Sequence, residues 1–183
     1  MGKWTCPEFE YLADKEWMYT EKVDGTNVRI MFDGEKITFG GKTNQASLPT
    51  KLVNQLNEKF SVQQFKECFK DKKVCFYGEG YGSGIQKGQI YRSDQSFVLF
   101  DVLLDNWWIR RSDLEDIASK FELEIVPVIG QGTLHNAITL VANGLLSQWG
   151  NFPAEGIVAR PIIELFDRAG HRIITKIKNR DFC

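Results

Sequence analysis

No stretch of this chain approaches the ~20 consecutive apolar residues that a membrane helix needs. The opening Met1-Gly2-Lys3-Trp4-Thr5-Cys6-Pro7 lacks the apolar core of a secretory signal. The four cysteines, Cys6, Cys68, Cys75 and Cys183, nowhere form a C-x-x-C pair. That argues against a zinc site and for free thiols in a reducing cytoplasm. Cys68 and Cys75 read as small core or edge residues and Cys183 as an exposed, incidental thiol. The only histidines, His135 and His171, have no spacing that suggests a metal site or a triad. Charge of one sign is lacking too: 23 Lys and Arg stand against 24 Asp and Glu, a net charge of −1. A globally basic nucleic-acid coat is thereby excluded, whereas a local basic groove is not. There is no internal repeat and no linker. With 43% hydrophobic and 26% charged residues the chain is no disordered segment.

A chain of 183 residues fits one domain and can bury roughly two thirds of the surface its unfolded form exposes. β-Forming runs at 17–23, 26–32 and 36–39 are broken by Asp24-Gly25 and Asp33-Gly34, and the second break reads as a hairpin. Apolar residues at mostly helical spacing over 52–69 predict a helix. Runs at 74–77 and 97–104 read as strands. Ser112, with Glu115 three residues on, predicts a capping box for a helix to about 121. A strand at 124–129, a helix from Thr133 to about 146, and strands at 156–160 and 172–178 complete an α+β pattern: several β segments with three helices on the flanks.

Five short segments carry chemistry. Lys22-Val23-Asp24-Gly25 places a lysine at a strand end before a turn glycine. Gly78-Glu79-Gly80 puts a carboxylate among glycines that let a ligand approach the backbone. Phe100-Asp101-Val102 ends an apolar strand. Glu155-Gly156-Ile157-Val158 sets an acid before a buried strand. Lys176-Ile177-Lys178 puts two ammonium groups on one strand face, which repel unless an anion lies between them. Taken singly, each has an ordinary structural explanation. Taken together, they describe a phosphate-handling site with its own carboxylates and an aromatic platform. Trp107-Trp108 reads as a packed corner rather than a base-stacking surface, and Arg110-Arg111 as a solvated face.

In order and spacing these segments resemble the motif series of the covalent nucleotidyltransferases, the superfamily of ATP-dependent DNA ligases, RNA ligases and messenger-RNA capping enzymes. The resemblance spans about residues 20–180. Gly25-Thr26-Asn27, where DNA ligases usually carry Arg at the Asn27 position, and Tyr81-Gly82-Ser83-Gly84-Ile85-Gln86-Lys87-Gly88 look most like the nick-sealing RNA ligases of phages. Two positions depart from that branch: Asp24 stands where His is frequent, and Lys42-Thr43 where an Arg-Thr pair is usual.

The resemblance implies an α+β adenylation domain over residues 1–183, with antiparallel sheets flanked by helices and the nucleotide in the central cleft; such ligases usually append a C-terminal domain, and the expectation for this chain is that it departs from them in carrying none. It implies an ATP-dependent RNA ligase that joins 5′-phosphate and 3′-hydroxyl ends, acting as a monomer in the cytoplasm, a phage's host included. Its partners would be RNA or an RNA-containing duplex, and no membrane. Lys22 would form the lysine-AMP, with Lys176 and Lys178 placing positive charge at the α-phosphate. Mg²⁺ or Mn²⁺ would be held through its waters by Asp24, Glu79 and Glu155. Phe100 would stack on adenine, Glu21 bond its edge, Glu79 accept from the ribose, and Asn27 and Lys42 contact sugar or phosphate. Gln86, Asp101 and Arg160 would face the nucleic acid or the AMP phosphate. A DNA-ligase core, a capping guanylyltransferase and an inactive RNA-end-binding module share these parts and stand as alternatives.

Overall fold

The computed structural model describes residues 4–182. The elements, in chain order, are α1 (Pro7–Leu12), β1 (Trp17–Glu21), β2 (Thr26–Phe32), β3 (Ile37–Gly40), α2 (Thr50–Lys59), α3 (Val62–Phe69), β4 (Val74–Gly82), β5 (Gln95–Leu104), β6 (Trp107–Trp108), α4 (Arg111–Lys120), β7 (Glu124–Ile125), β8 (Val128–Gly132), α5 (Leu134–Ala142), β9 (Gly156–Pro161) and β10 (Thr175–Lys178). They form two compact units, one of Asp24–Val126 and one of the chain on either side. The α+β class with antiparallel sheets agrees with the sequence. Among the described residues no helix is long and apolar enough to cross a membrane.

In the unit of Asp24–Val126 the strands run in the order β3-β2-β4-β5-β6, with β7 parallel beside β5. Asp33-Gly34 makes the expected hairpin: Asp33 Oδ1 accepts the N–H groups of Glu35 and Lys36 at 3.0 and 2.9 Å. One face of the sheet packs Val28, Ile30, Phe76, Phe97 and Leu99 against Leu52, Leu56, Phe65, Leu114 and Phe121 of α2–α4 and their ends. Phe65 lies at the centre, with rings of Phe32, Phe60, Phe69, Phe76 and Phe121 within 6.0 Å of its own.

In the other unit the order is β10-β9-β1-β8, all antiparallel. β1 is central and every one of its side chains is buried. Trp17 and Tyr19 pack with Leu134, Ala137 and Val141 of α5. The Tyr19 hydroxyl donates to the Thr133 carbonyl at 2.5 Å, and Thr133 caps α5 in a reciprocal box with Asn136.

Several boundaries differ from the sequence reading, each for a local reason. The helix expected over 52–69 is two helices, because Phe60 is extended and Ser61 starts a new one by accepting from the Gln64 N–H at 3.2 Å. The strand expected at 124–129 is also two. Pro127 has no N–H to donate, and β7 and β8 on either side of it join different sheets. Ser112 caps nothing. The helix starts at Arg111, and Glu115 takes the Arg111 guanidinium at 2.8 Å instead of closing a box. The helix from Thr133 stops at Ala142, just before Gly144 in the left-handed region at φ +85°. α1 is a short helix the sequence reading did not anticipate. Cys68 is exposed on α3 rather than in the core, while Cys6 and Cys75 are half-buried. Cys183 lies outside the described residues. Trp108 packs on Tyr77 with ring centres 5.2 Å apart, as a corner should, but Trp107 is 78% exposed.

Candidate active site

The central position of β1 fixes Lys22. At the end of β1 and just beyond it the backbone remains tied: Glu21 N–H donates to the Pro127 carbonyl at 3.0 Å and Lys22 N–H to the Gly156 carbonyl at 2.9 Å. Gly156 lies at φ +150°, and any Cβ there would run into the backbone of Ile177 and Lys178. The Glu155-Gly156 turn can therefore press against β10 only as glycine. This brings one carboxylate to two ammonium groups. Glu155 Oε2 pairs with Lys22 Nζ, and Glu155 Oε1 is 3.6 Å from Lys178 Nζ. The three side chains are 21%, 17% and 26% exposed. The anion that the paired lysines require is thus in part the protein's own. Lys176, two residues earlier on the same face of β10, is exposed and has no ion pair among the described residues. Arg160 is on β9 opposite Met18.

Glu21 is 1% exposed. Its Oε2 accepts the Gln148 N–H at 2.7 Å, and its Oε1 has no hydrogen-bond partner among the described residues. Burial pushes this carboxyl above the ordinary carboxylate range, against the pull of the Gln148 amide and the Ser147 hydroxyl. A raised native value means the folded state holds the proton more tightly than the unfolded one. The associated stability is present below the ordinary carboxylate value and is lost as pH rises toward the raised one. Glu21→Gln should therefore melt higher than wild type at neutral pH, with the gain shrinking as the pH falls below the ordinary carboxylate range. Melting curves at both pH values check this. A variant that melts lower at neutral pH would show that the carboxylate stabilises the fold.

The other unit holds Asp24, Asn27, Lys42, Glu79, Gln86, Phe100 and Asp101. Asn27 and Glu79 are paired across β2 and β4, and Glu79 faces Val98 on β5. One row along, Arg29, Tyr77 and Asp101 are aligned. Between these rows β5 carries a bulge: Tyr77 pairs with Asp101 and Gly78 with Leu99, leaving Phe100 as the extra residue. Bulges re-aim side chains, and Phe100 is half-buried whereas its neighbours on both sides are buried. Gly78 is obligatory, since a Cβ would meet the Phe97 ring and the Val98 carbonyl. Phe97 itself is sealed in the core.

Lys42 is exposed in the loop after β3 and meets no other candidate residue among those described. Gln86 lies in the loop after β4 at φ +48°. The sequence reading passed over Arg29, whose guanidinium donates to the Gly41 carbonyl at 2.7 Å and to Asn44 Oδ1 at 2.9 Å. Its place in the β2 alternation beside Asn27 was the available signal. It also passed over Tyr91, whose hydroxyl accepts the Asp24 N–H at 3.2 Å. His171 pairs with Asp167 at 3.1 Å, and His135 meets the Trp4 ring edge-on. Neither touches a candidate residue.

Two largely antiparallel sheets with helices, a lysine at the end of the inner strand β1, and the paired-lysine strand β10 at the edge of the same sheet, beyond β9, fit a nucleotidyltransferase-type fold. A sequence model of the RNA ligase family matches residues 15–178, and the chain belongs to that family. Among solved structures it is similar to Naegleria gruberi RNA ligase. A variant of that enzyme with ATP and Mn superposes with a TM-score of 0.75 at 15% identity. A second variant with ATP and Mn gives 0.74 at 16%, and the enzyme with PPi 0.73 at 16%. In each case the match covers 96% of this chain and 53% of the other, so the chain spans about half the length of these structures.

Proposed function

We propose that this chain acts as the adenylation domain of an ATP-dependent RNA ligase that seals 5′-phosphate and 3′-hydroxyl ends, chiefly at nicks in RNA-containing duplexes. The observation that carries the proposal is Lys22 held at the end of the central strand on the same carboxylate as Lys178. An ammonium held on a carboxylate is no nucleophile, so the resting pair must open before attack. Lys22, once its ammonium has given a proton to solvent, then attacks the α-phosphorus of ATP as the neutral amine. An N–P bond forms, pyrophosphate leaves and the amine loses a proton. The 5′-phosphate of the broken strand next takes the AMP, breaking the N–P bond, and finally the 3′-hydroxyl displaces AMP. Lys176 and Lys178 offset charge on the phosphate oxygens.

Among the described residues no three His, Cys, Asp or Glu side chains gather closely enough to hold a metal ion. The acidic donors are hard oxygens, which suit Mg²⁺ or Mn²⁺ retaining its own waters. Asp24, Glu79 and Glu155 would hold those waters. When bound, the ion would add positive charge at the α-phosphate. Phe100 serves as the stacking ring, Glu79 as ribose acceptor, and Asn27 and Lys42 as sugar and phosphate contacts. Gln86, Asp101 and Arg160 face the nucleic acid or the AMP phosphate. Glu21 favours adenine over guanine: its unpartnered oxygen accepts an exocyclic amine, and guanine offers a carbonyl at that edge.

The test is incubation with α-labelled ATP or GTP and Mg²⁺, followed by nicked duplexes with RNA or DNA on the 3′-hydroxyl side and by single-stranded RNA. A labelled protein with ATP and faster sealing of RNA nicks is expected. No label would refute the enzyme reading, label with GTP would favour a capping enzyme, and equal sealing of all-DNA nicks would favour a DNA ligase. Phe100→Ala should weaken ATP use by about five- to 150-fold, since base stacking is worth ~1–3 kcal/mol, and Phe100→Leu should recover part of it. Wild-type labelling by both variants would remove Phe100 from the site.

A further inference from the structure

Tyr91 ends a tightly packed excursion that follows β4. Gly82 lies at φ +112° against the Asp94 carbonyl, and Gly88 presses on the backbone of Gly82 so closely that neither could carry a side chain without displacing its neighbour. The segment is tied by Ser83 N–H to the Asp94 carbonyl at 3.0 Å, by Gln95 Nε2 to the Ser83 carbonyl at 3.0 Å, and by Tyr91 N–H to the Gly88 carbonyl at 3.0 Å. The Tyr91 ring meets buried Tyr81 edge-on, with centres 5.9 Å apart. Tyr81 is held in turn by Glu124 and by Arg92, whose guanidinium forks onto Asp94 at 2.6 and 3.0 Å. Out of this scaffold the Tyr91 hydroxyl reaches the Asp24 N–H at 3.2 Å.

Asp24 opens the turn two residues after Lys22, where the chain passes from one compact unit to the other. The turn has little freedom on its other side. A Cβ on Gly25 would collide with the Gly80 carbonyl and the Glu79 side chain. The crossing segment is therefore tied at both ends: at Lys22 N–H by Gly156 and at Asp24 N–H by Tyr91.

We infer that Tyr91 is a positioning residue, which acts through the Asp24 backbone to hold the turn after Lys22 in the register the reaction needs. The inference rests on Lys22 being the nucleophile, and it assigns a task to the glycine-rich 81–91 stretch. A misplacement of about 1 Å can cost ~10²-fold in rate, whereas a single hydrogen bond steadies the turn more modestly.

Tyr91→Phe removes only the hydroxyl and keeps the ring on Tyr81. Two readings of this variant are needed: hydrogen exchange at the Asp24 amide, and lysine labelling as a function of ATP concentration. Exchange at Asp24 should rise several-fold, and the labelling rate at saturating ATP should fall about three- to tenfold. The KM for ATP should stay within twofold, and the melting temperature within about 2 °C. Unchanged exchange and unchanged labelling would overturn the inference. So would a falling melting temperature with KM and rate shifting together, since that is a structural defect. Faster exchange with wild-type labelling would show that the tether exists but does not position the nucleophile. Wild type that takes no label at all would defeat the ligase reading itself, whatever the variant's exchange shows.

Discussion

Replacing Lys22 by alanine should abolish transfer of label from ATP to the protein while leaving the fold intact. The backbone of this residue is fixed by its N–H bond to Gly156, which alanine keeps. Its side chain contributes one largely buried ion pair, and in the variant Glu155 keeps Lys178 as a partner, so its carboxylate is not left uncompensated. Lys22→Arg should fail as well, because a guanidinium stays protonated and is a poor nucleophile. The measurement is a labelled band after denaturing electrophoresis, read beside a melting curve. Persistent label on Lys22→Ala would move the nucleophile elsewhere. Loss of label together with a collapsed melting curve would leave the lysine a structural residue.

The largest loss of stability is expected far from that chemistry. Phe65 is fully buried at the meeting point of five other phenylalanine rings. Truncating it removes most of a side chain from a site whose walls are themselves rigid rings, so the space can close only in part. Phe65→Ala should cost about 3–5 kcal/mol, from a total that is ordinarily about 5–15 kcal/mol. For a chain of this size that lowers the melting temperature by roughly 6–20 °C. Phe65→Leu, which refills most of the volume, should cost much less. Thermal or urea denaturation decides it, and equal small losses for both variants would show that the cluster repacks.

The sequence was most readable where local chemistry dictates one outcome. Asp33-Gly34 could hardly be other than a hairpin, and Thr133 before an apolar run caps its helix as expected. The fold class followed from the interleaving of strand and helix segments, the superfamily from five short motifs in order, and the RNA-ligase family from the 25–27 and 81–88 stretches. Boundaries were lost where a local rule met a stronger neighbour. Ser112 is a good cap, but Arg110 in extended conformation starts the helix two residues earlier, and Arg111 recruits the glutamate that would have closed the box. The run at 124–129 has strand character throughout, yet the missing N–H of Pro127 divides it between two sheets. The two tryptophans could not be told apart by composition: Trp108 faces Tyr77 and Trp107 the solvent, a difference set by the side of an edge strand on which each falls. Tyr91 was invisible for another reason. Its partner is a backbone N–H 67 positions away, and no pattern of side chains announces such a bond.

The strand order β10-β9-β1-β8 has a consequence for how the chain comes to life on the ribosome. Lys22 and Glu155 are 133 positions apart, and β1 finds all its sheet partners after Pro127. The intervening Asp24–Val126 unit has its own sheet and its own core, so during synthesis it can condense while Lys22 is still without a sheet. Pairings across so long a loop are closed late and slowly. Lys22 is therefore translated 133 positions before the carboxylate it pairs with, and a nascent chain lacks the Lys22, Glu155 and Lys178 cluster until β9 and β10 have emerged.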